Sequence, residues 1–504
     1  MAGEAAGLAP VDWFIMVAYV LGVIGLGYYY SRRQGSAEEY FTGSGHMNPV
    51  LIGFSLFATL LSTISYLSMP GEAIAKGPTS LYGLLALPLV YIVVGYGLIP
   101  LYMRRRVTST YELLEDRLGL GIRLLGACLF VVLRLVWMSL LVYLAGQAMA
   151  VMLGLGDEWI PAIVFCTGFV AVIYTSLGGL RAVVITDFVQ TVLMLGGGVL
   201  VIVVVSMDLG GFQWFPTSWQ ENWDQQPILS LDPGTRISAV GLILSTLIWY
   251  ICTSGGDQTV VQRFMATADA AAARRSLRTQ LIVGALIGTT LSIVGFALLG
   301  YFKLHPQMLP EGIDIAANAD RIFPRFISFH LPQGVSGLVV AAMFAAAMSS
   351  IDSGVNSISA VVTSDFLARF GRRPQSGRGQ VRMAQLLAFG IGSIVVVGST
   401  FMEYVPGNIT AVTAKTTNLL VTPIFALFFF ALFVPCARPA GVVVGAVCGT
   451  ATAVLIAFSG PIFGMDPHTG LDPISFMWIG PTALLVNLAS GTLVSLGWQR
   501  KKPV

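Results

Sequence analysis

One stretch of this chain carries side chains suited to holding a small cation. From Val340 to Ser357 it reads Val-Ala-Ala-Met-Phe-Ala-Ala-Ala-Met-Ser-Ser-Ile-Asp-Ser-Gly-Val-Asn-Ser. Ala346, Ser349, Ser350, Ser353 and Ser357 recur at i, i+3, i+4, i+7 and i+11, which places them on one helix face. Asp352, Asn356, Ser359 and Thr363 form a neighbouring polar stripe. Hydroxyl and carboxylate oxygens are what a hard cation accepts in place of its hydration shell. A serine-rich seam also suits close helix packing. Packing does not account for an aspartate, which is costly in a membrane unless paired or solvated.

Two further segments mix polar residues into an apolar pattern. Phe57–Gly71 places Thr59, Ser62, Thr63, Ser65 and Ser68 inside a hydrophobic run and closes on Pro70-Gly71. Thr246–Gln258 ends in Thr253-Ser254-Gly255-Gly256-Asp257-Gln258. A helix interrupted inside a bilayer frees carbonyls and amides, tolerated only where protein buries them or a wet cavity receives them. Carriers place such breaks in corresponding spans of two inverted halves, with the solute between them. Gly, Ser and Pro also serve as plain packing residues in membrane helices. The matched spacing of the two segments favours a binding site.

The rest of the chain supplies the bilayer. Its 504 residues are 55% hydrophobic and only 11% charged, against about a quarter charged in soluble domains. Such a chain has lipid as its solvent. Thirteen runs of spanning length are read: 11–30, 49–74, 80–103, 124–153, 158–177, 182–207, 237–256, 280–302, 335–366, 384–403, 408–434, 440–459 and 473–497. The two segments above fall in the second and seventh, five apart, and the serine stripe in the ninth. The first run ends in Ser31-Arg32-Arg33 with no basic region before it, so it reads as a span and not a cleaved signal. One membrane domain of 1–504 is expected, with no soluble domain.

Alternate connections collect the basic residues. One set holds Arg32, Arg33, Arg104–Arg106, Arg117, Arg123, Arg181, Arg263, Arg274, Arg275, Arg278, Arg369, Arg372, Arg373, Arg378, Arg382, Arg438 and Arg500–Lys502. The other holds only Lys76, Arg236, Lys303, Arg321 and Arg325. The positive-inside rule then sets the N-terminus outside and the C-terminus in the cytoplasm of a plasma-membrane protein.

Several chemistries lack their signatures. No Walker A glycine-lysine loop, GxSxG elbow or CxxC pair occurs, and His46, His305, His330 and His468 share no metal-ligand spacing. No basic stripe for nucleic acid is present. The reading is not an enzyme but a secondary carrier, with a channel or membrane sensor as the weaker class. Intramembrane ionisable residues mark function by default. Asp187 is placed to reach the inner half of a cation site, or lies at the surface by Arg181. Arg134 suits an anionic solute or pairs with Glu112 or Asp116. Lys415 meets solute or snorkels outward, and Asp365 caps the inner end of the ninth span.

These residues resemble the sodium/solute symporter family, which includes sodium–glucose, proline, pantothenate, monocarboxylate and sialic acid carriers. The resemblance lies in Ala341–Asp365, Phe57–Gly71, Thr108–Glu112, Gly178-Gly179-Leu180 with Thr186-Asp187, and Asp257-Gln258 with Val261-Gln262-Arg263. Tyr40-Phe41 with Gly43 adds to it, and the second and ninth spans look most like bacterial sialic acid carriers.

The resemblance implies an all-α, LeuT-like core of two inverted five-helix repeats, 49–207 and 237–434, with peripheral helices 11–30 and 440–497. It implies sodium held by carbonyls of Ala58, Leu61 and Ala346 and hydroxyls of Ser349 and Ser350. Some members hold a second sodium, here implied near Asp187, Ser349, Ser350, Asp352 and Ser353. Asp352 stands where the family has a serine, which leaves open a stronger second site, a proton acceptor or no second site. A proton-coupled carrier using Asp352 or Asp187 is the rival reading. Sialic acid carriers have an arginine where this chain aligns Trp137, so that solute is not carried over. Ser62, Ser65, Arg134, Trp137, Trp249 and Thr253 are the candidate solute contacts, for a sugar, sugar acid or monocarboxylate. No oligomer is required.

Overall fold

The computed structural model describes residues 8–61, 63–105, 107–224, 229–309, 313–369, 371, 377–402, 409–465 and 472–499, without the side chains of 44, 63–64, 409–418 and 498–499. Helices and their connections make up all of it, with no strand among the described residues. In chain order the helices are α1 (Pro10–Ser31), α2 (Ala37–Thr42), α3 (Pro49–Leu60), α4 (Thr63–Lys76), α5 (Pro78–Met103) and α6 (Glu112–Leu118). There follow α7 (Leu120–Leu153), α8 (Ile160–Asp208), α9 (Ala239–Gly256), α10 (Gln258–Met265), α11 (Ala270–Leu304) and α12 (Ala319–Phe329). The last are α13 (Val335–Leu367), α14 (Gly377–Ser399), α15 (Ile409–Phe433), α16 (Pro439–Ala457) and α17 (Ile479–Gln499).

Among the described residues, ten helices are long and apolar enough to cross a bilayer, and the bent pair α3–α4 makes an eleventh. The thirteen spans read from the sequence differ from this count in two places. The described apolar part of α15, Leu419–Phe433, is shorter than a full span. Spans 158–177 and 182–207 are joined in α8, a 49-residue helix. A straight helix of that length would run about 70 Å, more than twice the hydrocarbon thickness. Gly179 breaks it with φ 59° and ψ −173°, a conformation open essentially to glycine alone.

The two interrupted helices share one geometry. Leu61 is extended (φ −83°, ψ 122°) between α3 and α4, whose axes bend by 65°. Asp257 is extended (φ −91°, ψ 118°) between α9 and α10. Each first half is thus followed by an extended residue; Asp257 alone separates α9 from α10, whereas α4 resumes at Thr63.

Helix α13 is the most enclosed of the long apolar helices among the described residues, and packs against α8, α7, α1 and α14. Its start is fixed by a residue far away in sequence. Asp12 of α1 is buried, and its Oδ1 accepts the amides of Gly334 at 2.7 Å and Gly337 at 2.8 Å. A carboxylate there satisfies two orphan amides and faces the positive end of the helix dipole. Helices α16 and α17 pair closely with each other and with α15.

A Cβ on Gly179 would lie 2.8 Å from Gln34 Nε2 and 2.9 Å from the Tyr40 carbonyl, besides the backbone strain. Gly179→Ala should therefore cost about 1–3 kcal/mol. Thermal unfolding of the purified protein checks this; an unchanged midpoint would contradict the strained turn.

Candidate functional site

A helix leaves its last four carbonyls without intrahelical partners. At the end of α3 two carbonyls, Ala58 and Leu61, are taken by α13. The Ser349 hydroxyl donates to Ala58 O at 2.9 Å and to Ala346 O at 3.1 Å, and Ser350 donates to Leu61 O at 3.3 Å. Thr59 and Ser353 hydroxyls meet at 2.8 Å one step deeper. Ala58, Ala346 and Ser349 are fully buried, and Leu61 and Ser350 nearly so. Five neutral oxygens thus converge at the negative end of the α3 dipole. Each carbonyl keeps a second lone pair and each hydroxyl can turn its own inward, so the donor set fits a hard monovalent cation.

The other break is closed differently. Carbonyls of Gly255 and Gly256 accept the hydroxyls of Tyr102 and Tyr111, the latter at 3.0 Å. Arg134 of α7 is buried and pairs with Asp257 Oδ2, while Asp257 Oδ1 caps α10 through the Thr259 amide at 2.8 Å. The partner of Arg134 is therefore Asp257, not Glu112 or Asp116. Glu112 lies 4.0 Å from Arg123, and Asp116 pairs with Arg105. A helix N-terminus and a fixed cation both call for a carboxylate at residue 257.

Below the carbonyl cluster sits a charged one that the sequence reading distributed wrongly. Arg263, read as a connection residue, is wholly buried in α10. It donates to Ser55 at 2.7 Å, Ser353 at 2.5 Å and Thr259 O at 2.9 Å, and lies 3.5 Å from Asp187 Oδ2. Asp187, also fully buried, accepts Ser55 Oγ at 2.5 Å and leaves Oδ1 without a partner. It is not a surface carboxylate beside Arg181, which pairs with Glu39 at 3.1 Å. Asp352 accepts hydroxyls of Tyr174 and of Ser353, the latter at 3.2 Å. Asp365 does not cap its helix: it bonds Ser109 and, at 2.6 Å, Arg123.

Ser55, Thr59, Tyr174 and Arg263 are the contributors that sequence reasoning missed. Ser55 and Thr59 stand on the same α3 face, at i and i+4, as a period count would show. Tyr174 carries no such signal.

The solute candidates are less gathered. Thr253 is buried one turn before Asp257, and its hydroxyl has no partner among the described residues. Trp249 meets Tyr250 edge-on at 4.9 Å, and Trp137 packs against the cluster of Leu140, Leu141 and Leu144. Ser65 is half-buried on α4. Ser62 and the Lys415 side chain lie outside the described residues.

Each end of the bundle has a cavity. At the end rich in arginine, one of about 280 Å³ is lined by Glu38, Thr42, Thr108, Thr363, Ser364 and Gln380. At the opposite end, one of about 370 Å³ is lined by Glu72, Lys76, Arg236, Asp320, Asp472 and Ser475. Arg236 there bridges Glu72 and, at 2.8 Å, Asp224. Burial, with Glu72 nearby, pushes the Asp320 carboxyl up from 3.8 to about 6.

Neutral oxygens gathered at a broken helix, inside a helical membrane bundle with matched breaks, define an ion-coupled secondary carrier. The profile of the sodium:solute symporter family matches residues 40–449, and the chain belongs to that family. It is 29% identical over 468 residues to the sodium/sialic acid symporter NanT of Aliivibrio fischeri, covering 90% of this chain and 89% of that protein. A solved sodium-coupled sialic acid symporter, substrate-bound and outward-open, superposes with a TM-score of 0.84 at 26% identity, covering 97% and 98% of the two chains. Mhp1, a nucleobase-cation-symport-1 family transporter in a closed conformation, shares the fold alone, with a TM-score of 0.52 at 12% identity over 92% and 94%. The fold is LeuT-like, sodium is the coupling ion, and the chain is a symporter and not an enzyme.

Two outcomes test the charges. Asp257→Ala strands a buried guanidinium and should cost about 3–5 kcal/mol, whereas Arg134→Leu with Asp257→Leu should cost less than that single change. Unfolding midpoints of the single and double variants decide it. A folded-state carboxyl value above the unfolded one means stability present below 3.8 and lost as the pH rises through about 6. Asp320→Asn should flatten that part of the stability–pH profile; an unaltered slope would contradict it.

Proposed function

We propose that sodium enters from the end bearing Glu72 and Arg236 and is held by Ala58, Leu61 and Ala346 carbonyls with Ser349 and Ser350 hydroxyls. The observation that carries this reading is the convergence of those five buried oxygens at the end of α3. The ion ties α3 to α13, and the tied arrangement shapes the solute pocket beside the two breaks. Sodium then raises solute affinity and solute raises sodium affinity by the same factor. Rocking of one helix group against the other exposes the site to the cytoplasm. Each sodium moved inward supplies roughly 2.3 kcal/mol per 100 mV, enough for a gradient of about fiftyfold.

The N-terminus lies outside and the C-terminus in the cytoplasm on this reading, supported by the arginines crowding one end of the bundle. Repeats of 49–207 and 237–434 are supported by the equivalent extended residues Leu61 and Asp257. The cargo is a small polar organic solute, a sugar, sugar acid or monocarboxylate. Thr253, Trp249, Trp137, Ser65 and Ser62 are its candidate contacts. Arg134 faces Asp257, so it serves the break and does not stand free for an anion. Of the second set, Asp187 and Ser353 already engage the Arg263 guanidinium, which favours one transported sodium.

Ser350→Ala and Ser349→Ala should each weaken sodium binding at least about tenfold, near 1.4 kcal/mol. Sodium titration of thermal stability in the purified protein, against choline, reads this out. Unchanged sodium dependence in both variants would remove the proposed cage.

A further inference from the structure

The carbonyl cluster is made of neutral oxygens, and the charges lie one turn deeper. Three ionisable groups meet there with no exposure to solvent: Asp187, Arg263 and Asp352. Their bonding is unequal. Arg263 faces Asp187 at 3.5 Å, and both share the Ser55 hydroxyl. Two further guanidinium protons go to Ser353 and the Thr259 carbonyl. Among the described residues, Asp352 receives hydroxyls, from Tyr174 and Ser353. Arg263 and Asp352 share the Ser353 oxygen.

With both carboxyls ionised, two carboxylates surround one guanidinium, leaving one negative charge in excess. The other buried pair nearby, Arg134 with Asp257, is neutral in itself. An unbalanced charge in the hydrocarbon region costs several kcal/mol. Asp352 is three residues after Ser349 on the same helix, a rise of about 4.5 Å. It also neighbours Ser353, whose hydroxyl meets Thr59 of α3 at 2.8 Å.

We infer that Asp352 is the counter-charge of the transported sodium: it attracts the ion held by the neutral oxygens one turn away without coordinating it. This rests on the sodium cage proposed above. The division of labour is physical. Carbonyls and hydroxyls replace the hydration shell and set size, while a carboxylate at a distance supplies depth to the well. Through a protein of effective dielectric about 20, a unit charge several ångströms away changes ion affinity by an order of magnitude or more. Where the family resemblance places a serine, this chain has added a charge, and Tyr174 holds it in place. A sodium ion in the cage brings the sum of that cluster, with both carboxyls ionised, to zero.

The test uses the purified full-length protein, with sodium chloride replaced stepwise by choline chloride. Bound radiolabelled sodium gives affinity and stoichiometry, and thermal unfolding gives stability at each sodium concentration. Asp352→Asn should raise the sodium dissociation constant about tenfold or more, leave the number of ions bound unchanged, and unfold in choline at or above the wild-type temperature. Asp352→Ser, with the residue that the family resemblance places there, should behave alike and stands in if the asparagine variant does not fold. Loss of one bound ion in either variant would make Asp352 a direct ligand of a second ion and overturn the inference. So would a lower unfolding temperature in choline with unchanged affinity, the mark of a structural role. If Ser350→Ala abolishes binding while both Asp352 variants bind as wild type, the cage stands and the counter-charge falls. If Ser350→Ala binds as wild type, the cage itself falls.

Discussion

Hydroxyl groups of α13 meeting the unfinished end of α3 hold the centre of this molecule together. A helix stopped at Leu60 inside a membrane leaves carbonyls that neither lipid nor a neighbouring turn can satisfy. Ser349 and Ser350 satisfy Ala58 and Leu61, while Thr59 and Ser353 extend the seam. Those hydroxyls favour the break. Leu60 precedes Leu61 and Ser62 follows it, so neither glycine nor proline stands there to force it. On the proposed reading, the same hydrogen bonds are exchanged for bonds to an ion with little movement of the oxygens.

The two breaks match in backbone form and differ in how their carbonyls are closed. Tyrosines from α5 and the turn before α6 cap Gly255 and Gly256, and an ion pair pins Asp257 to α7. Closure by bulky phenols leaves little to exchange. Closure by small serines on one adjacent helix leaves oxygen on both sides. That contrast explains why one break suits an ion and its counterpart suits a scaffold, although the pattern along the chain treats them alike.

Much of this was legible before the structure. The serine face and both interruptions follow from the residue pattern, and the set Ala58, Leu61, Ala346, Ser349 and Ser350 from the family resemblance; in the structure hydrogen bonds join Ser349 to Ala58 and Ala346, and Ser350 to Leu61. What escaped was partner choice among charges. Arg263 counted as a connection residue because it follows a glycine-rich stop, yet α10 buries it against α3, α8 and α13. Arg134 was matched to carboxylates near in sequence, whereas its partner lies 123 residues on. Periodicity reports which side a residue faces, not what waits there. The motif segments also turn out to bond one another: Gln258 holds Thr108 and Thr110, and Gln262 holds Phe41, Asn356 and Ser357.

Asp12 ties the very start of the chain to the helix bearing the serines. Its carboxylate is the partner of two amides at the head of α13, and Gly337 is packed against its backbone so tightly that a Cβ would lie 2.6 Å from its Cα. The segment around Asp12 is thus a structural part of the bundle. Trimming or proteolytic clipping past residue 12 would uncover those amides in an apolar setting. Affinity handles belong ahead of Ala9 or at the other terminus.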